Sequence, residues 1–163
     1  MTLFTPHRNS GSSRYCGPTD IMAVTGCKGS DVSSAIRQAR GHILDSGTPD
    51  WRSASWRVTG VSNRDLIRAM EVLGWNVVEK TETIAGPGPY RFSQFLIDRG
   101  NGGPFIVNVT GHYIAVSHGE VCDSATTLIP IEVERYLKGR GFKYHQSWVQ
   151  KWWKFSKIVP AGS

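Results

Sequence analysis

Between Gly111 and Asp123 the chain carries two strand-type runs, His112-Tyr113-Ile114-Ala115-Val116-Ser117 and Glu120-Val121-Cys122-Asp123, separated by His118-Gly119. A two-residue connection whose second member is glycine is a strong short-range hairpin signal, so this stretch is expected to pair with itself in antiparallel fashion. If His118-Gly119 is the whole turn, Ser117 faces Glu120, Val116 faces Val121 and Ile114 faces Asp123. Side chains alternate along a strand, so His112 then shares a face with Ile114 and meets Asp123 as a diagonal neighbour across the ladder. A three-residue loop would shift the register by one and put Asp123 on the face opposite His112.

A histidine oriented by a carboxylate is half of a nucleophilic site, and Arg14-Tyr15-Cys16-Gly17-Pro18-Thr19-Asp20-Ile21-Met22 offers the other half. The cysteine sits where a polar loop enters an apolar-periodic run, at the positive end of a helix macrodipole, a setting that favours a thiolate. In a nucleophile–base–orienter arrangement His112 deprotonates Cys16, while Asp123 fixes the imidazole tautomer and stabilises its charged form. Each residue has a structural alternative: a buried small hydrophobe for the cysteine, a satisfied core histidine, a solvated carboxylate at a hairpin end. Cys27 and Cys122 lack a comparable setting, and Cys122 alternates away from Asp123. His118 reads as a turn residue, and His7, His42 and His145 as surface.

Around these two stretches the chain reads as helices first and strands later, which predicts an α+β fold rather than a doubly wound sheet. Helices are expected from Cys16 to Gly26, from Asp31 to Gly41 with Ser30 or Asp31 as cap, from Ser62 to Gly74, from Tyr90 to Arg99 and from Ile131 to Lys138. Strands are expected at Trp75–Glu79 and Phe105–Val109 besides the hairpin. Residues 45–61 read as a loop-rich insertion whose Trp51 and Trp56 fill core or line a groove. Residues 142–159 form an aromatic, basic run of undefined register.

At 163 residues the chain is expected to be one domain spanning 1–163, with 39% hydrophobic residues and six tryptophans to build a core. Three cysteines without CxxC or Cys/His ligand spacing favour neither a disulfide framework nor a zinc site, and no cofactor is expected. No apolar stretch approaches a membrane span and the N-terminus lacks a signal-peptide core, so a cytoplasmic protein is expected. A net charge of +6 raises the prior for an acidic partner without identifying one.

Cys16-Gly17-Pro18 opening a helix, a later helix ending in Leu73-Gly74-Trp75, then Gly103-Pro104-Phe105-Ile106-Val107-Asn108-Val109, Gly111-His112-Tyr113-Ile114-Ala115-Val116 and Val121-Cys122-Asp123-Ser124, together resemble the papain-like cysteine peptidases. The likeness is greatest to the double-glycine leader peptidases that process bacteriocins, and it covers roughly residues 9–125. It implies a papain-like α+β fold, with N-terminal helices packed on a mainly antiparallel sheet, and cleavage of a protein or peptide substrate by a Cys/His/Asp triad, here Cys16, His112 and Asp123. The family also places a glutamine shortly before the nucleophile as an oxyanion-hole donor. The nearest side-chain amide in this chain is Asn9, with the Cys16 backbone N–H as second donor.

Three functions follow as expectations. The first is a thiol hydrolase acting on a peptide or isopeptide bond through an acyl-enzyme. The second is a cell-wall amidase using the same triad. The third is a catalytically dead papain-like module binding an acidic protein or nucleic acid through the basic C-terminus, where Lys151, Lys154 and Lys157 interleave with Trp152, Trp153 and Phe155. Against the third stands a C-terminal element that packs those aromatics on the core.

Overall fold

The computed structural model describes residues 3–6, 16–41, 61–81, 90–124, 129–139, 142 and 144–158. Among the described residues five helices, α1 (Cys16–Thr25), α2 (Gly29–Ala39), α3 (Asn63–Val72), α4 (Phe92–Arg99) and α5 (Val133–Lys138), accompany six strands. The strands are β1 (Trp75–Lys80), β2 (Phe105–Val109), β3 (His112–Ser117), β4 (Glu120–Cys122), β5 (Ile131–Glu132) and β6 (Val149–Lys157). They form one antiparallel sheet in the order β1-β6-β2-β3-β4-β5. The expected α+β class is what the chain adopts.

Alternation along β2 and β3 splits the core into two layers. Ile106, Tyr113, Ala115 and Cys122 face the side covered by α1, α2 and α3, joined by Trp153 and Phe155 of β6. Val107, Val109, Ile114, Val116 and Val121 face the side covered by α4 and α5, joined by Trp152. With both faces covered, β2 and β3 are buried throughout, the polar Asn108, His112 and Ser117 included.

Local chemistry sets the element ends. Ser62 caps α3 by accepting from the Asp65 N–H at 3.2 Å. α2 starts at Gly29, earlier than the expected Ser30 or Asp31 cap, because Lys28 takes the extended cap conformation and no side chain supplies a cap bond. Its observed end, Ala39, lies two residues before Gly41.

The aromatic run without readable register is β6. It lies between β1 and β2, opposing Phe105 with Lys154 and Val107 with Trp152, then omits Gln150 so that Val109 faces Val149. That bulge lets Val149 and Trp152 share a face although their separation is odd.

Two tight hairpins frame β3. The connections Thr110-Gly111 (φ 50° and 82°) and His118-Gly119 (47° and 85°) both place two residues at positive φ, the type I′ pattern that matches strand twist. The pairs Ser117↔Glu120, Val116↔Val121 and Ala115↔Cys122 are those of the two-residue turn, so the even register holds.

Candidate active site

The two-residue turn makes Ser117 and Glu120 a hydrogen-bonded pair, and by alternation Ala115 and Tyr113 also turn their N–H groups toward β4. β4 ends at Cys122, opposite Ala115. The Tyr113 N–H goes instead to Sγ of Cys16, at 3.3 Å, from the first residue of α1. The end of one strand ladder therefore seats the thiol against the main chain one residue beyond His112.

His112 projects to the other side of the sheet, where Asp123 lies just past β4. Nε2 of His112 and Oδ1 of Asp123 are 2.6 Å apart, with the two side chains 4% and 0% exposed. The Tyr136 hydroxyl of α5 donates to Oδ2 of the same carboxylate at 3.1 Å. Tyr144 stacks on the imidazole, with centroids 4.2 Å apart and planes 14° from parallel. Phe142 stacks in turn on Tyr136 at 4.9 Å and 6°. Both ends of the carboxylate are held, and an aromatic ring covers one face of the imidazole.

The turn leading into His112 is also tied down. Thr110, β-branched at positive φ, is a strained position. Gly111 N–H lies 2.9 Å from Oδ1 of Asn108 and 3.1 Å from Oε1 of Gln150 in the β6 bulge. Asn108 is bonded to Asn63 at 3.0 Å, and Tyr113 OH lies 2.7 Å from the same Asn63 oxygen. The start of α3 and the bulge in β6 thus fix the main chain on both sides of His112.

The electrostatics depart from the sequence expectation of a thiolate. Cys16 is 7% exposed, and burial pushes its pKa up to about 12, the nearby Asp20 charge acting in the same direction. The N–H groups of Tyr113 and Gly17 oppose the rise without cancelling it. Burial and two carboxyl groups outweigh the helix terminus, and the resting group is a neutral thiol. Asp20, one turn along α1, is itself 0% exposed with no hydrogen-bond partner on either oxygen. Burial, followed by the charge of Asp123, holds its pKa well above the usual carboxyl range. His112 Nδ1 and Thr19 Oγ1 are buried without partners as well.

Of the expected site residues, His112 and Asp123 are in contact, and Cys16 is seated on the main-chain N–H of Tyr113, the residue after His112. Asn9 lies outside the described residues, as do Trp51, Trp56, His7 and His42. Cys122 is buried and points to the α1 side of the sheet, away from Asp123. Trp152, Trp153 and Phe155 are 6%, 4% and 1% exposed, which removes them as stacking platforms for nucleic acid and matches their packing in the two core layers. Asp20, Tyr136 and Tyr144 carried no expectation. Only Asp20 had a sequence signal, a carboxyl at the head of the apolar run Ile21–Val24.

Among the described residues no group of three or more His, Cys, Asp or Glu side chains is placed to hold a metal ion, and no helix is long and apolar enough to cross a membrane. Comparison of the chain with protein-family models, curated proteins and solved structures finds no match.

Proposed function

We propose that the chain is a cysteine-nucleophile hydrolase of a peptide or isopeptide bond, with Cys16 as nucleophile, His112 as general base and acid, and Asp123 as orienter. The observation that carries the reading is the buried 2.6 Å contact of His112 Nε2 with Asp123 beside a thiol seated on the next main-chain N–H. The motif resemblance to papain-like peptidases supports the same assignment.

A carboxylate only accepts hydrogen bonds, so the pair commits Nε2–H to Asp123 and leaves Nδ1 as the basic nitrogen. Nδ1 is the ring nitrogen nearer the main chain, and Sγ makes its contact with the main-chain N–H of the next residue, Tyr113. Nδ1 makes no hydrogen bond at rest. Catalytic contacts in unliganded sites are often long and tighten once substrate is bound. With the thiol pushed up to about 12, attack uses proton transfer to Nδ1 in step with formation of the S–C bond, rather than a standing thiolate. The imidazolium then protonates the leaving amine. Water, deprotonated by the same nitrogen, cleaves the thioester and restores the thiol. The Cys16 N–H at the start of α1 is one oxyanion donor, with Asn9 the candidate for the second.

The test is labelling by an electrophilic thiol probe together with cleavage of a quenched peptide library. Cys16→Ala is expected to abolish both, and His112→Ala to lower cleavage by about 10²–10⁴-fold. Labelling of Cys16→Ala equal to that of the parent chain overturns the assignment.

A further inference from the structure

The polar groups around Cys16 include one that the proposed reaction does not use. Asp20 lies four residues after Cys16 on α1, a spacing that puts both side chains on one face with Cβ atoms about 5–6 Å apart. Helical side chains lean toward the N-terminus, so the Asp20 carboxyl lies under the thiol. It is fully buried, and neither oxygen has a partner. Burying a polar group without a partner destabilises a fold, and native structures hold few such groups.

The titratable groups around Asp20 are nearly all acids. Cys16 is on its own helix, Tyr113 comes from β3, and Cys122 and Asp123 come from β4 and the residue after it. From β3, His112 adds a base, already bonded to Asp123. α3 turns Leu66, Ala69 and Met70 inward, and α2 turns Val32, Ala35 and Ile36. Arg37 of α2 has a buried Nε but makes no bond to Asp20. An imidazolium on His112 balances one negative charge. With Asp123 ionised, a Cys16 thiolate leaves the cluster at −1, and an ionised Asp20 would take it to −2 among side chains that are all buried. Two such neighbours do not both ionise.

We infer that Asp20 is a positioning residue of the Cys16 centre that acts through the thiol: carrying its proton it permits the Cys16 thiolate, and ionised it suppresses it. The inference deepens the hydrolase reading and rests on Cys16 as the reactive thiol. It accounts for a carboxyl kept dry and unbonded, because an ion pair there would hold it permanently charged. It also gives the site an alkaline limit unrelated to His112.

The experiment is the rate of Cys16 alkylation by iodoacetamide, read by mass at the Cys16 peptide, across about pH 6 to pH 10 for the full chain and for Asp20→Asn. The isosteric amide cannot ionise. The two profiles are expected to coincide at the acid end and diverge at the alkaline end, Asp20→Asn reacting between about tenfold and a hundredfold faster, as a unit charge at this spacing dictates. Superimposable profiles overturn the inference. If Asp20→Asn does not fold, carboxyl ¹³C titration of the aspartate-labelled parent decides. One aspartate still protonated at neutral pH supports the inference, and none protonated overturns it. A chain whose alkylation profile shifts as expected but which cleaves no peptide retains this inference and loses the hydrolase reading.

Discussion

Replacing Asp20 by Asn is expected to stabilise the fold, by an amount that grows with pH. The Asp20 carboxyl is fully buried, unbonded and neighboured by Asp123, so its folded pKa is raised above the ordinary aspartate value of about 3.9 that it regains on unfolding. For an acid with a raised folded pKa, the folded state binds a proton that the unfolded state has released. Stability is then fully present below the unfolded value and is lost as pH climbs toward the folded one. The loss is about 1.4 kcal/mol for each pH unit between the two values. Asn carries no such linkage. Near pH 4 the parent and Asp20→Asn are expected to agree within about 1 kcal/mol, each burying a neutral polar group of similar shape. Above that the gap widens with the stated slope, and the pH at which widening stops reads the folded pKa directly. Urea denaturation at a series of pH values measures the difference, in which titrating groups common to both chains cancel. A gap that stays constant with pH, or one that opens with Asp20→Asn the less stable, would refute the reasoning, since either requires a carboxyl charged and satisfied in the fold.

Other expectations follow from the same contacts. Tyr136→Phe removes the hydroxyl that donates to Asp123 and is expected to cost about 1.5–3 kcal/mol in urea denaturation, the range for a bond to a charged group. A change below about 0.5 kcal/mol would mean the carboxylate is held without it. Trp153→Ala opens the α1 side of the core and should lose about 3–5 kcal/mol in urea denaturation. Ser62→Ala should lower stability by about 1 kcal/mol through the lost cap of α3. Gly119→Ala places a Cβ at φ 85° and should cost about 1–2 kcal/mol without altering the β3–β4 register.

The hairpin shows why part of the site was legible. Its two-residue turn is coded locally by His118-Gly119, and period-two alternation then carries the inference from the turn to the His112–Asp123 diagonal. The thiol's protonation state was not legible in the same way. The macrodipole at Cys16 is a local feature, but the burial that outweighs it, with the smaller contributions of the Asp20 and Asp123 charges, comes in part from β3, about a hundred residues away in sequence. Tyr136 and Tyr144 reach the dyad from segments whose own patterns say nothing of an acid or an imidazole. β6 escaped because the Gln150 bulge interrupts its alternation and because adjacent tryptophans bury on opposite faces. A sequence window sees there an apolar run with charges, without a period.

The place of β6 in the sheet bears on how the chain reaches its native state. β1 and β2 do not pair with each other; each is hydrogen-bonded to β6, the last of the described strands in chain order. Until residues 149–157 have been synthesised, the helices with β1 and the β2–β5 meander have no strand to join them, and Trp153 and Phe155 are missing from the α1 side of the core. The sheet therefore closes only after translation has passed Lys157, through pairings between residues from 40 (Val109 and Val149) to 82 (Trp75 and Lys157) apart. Such long-range closure slows folding. A chain stopped just before Val149 would expose the edges of β1 and β2 together, two open ladders prone to pairing with another copy.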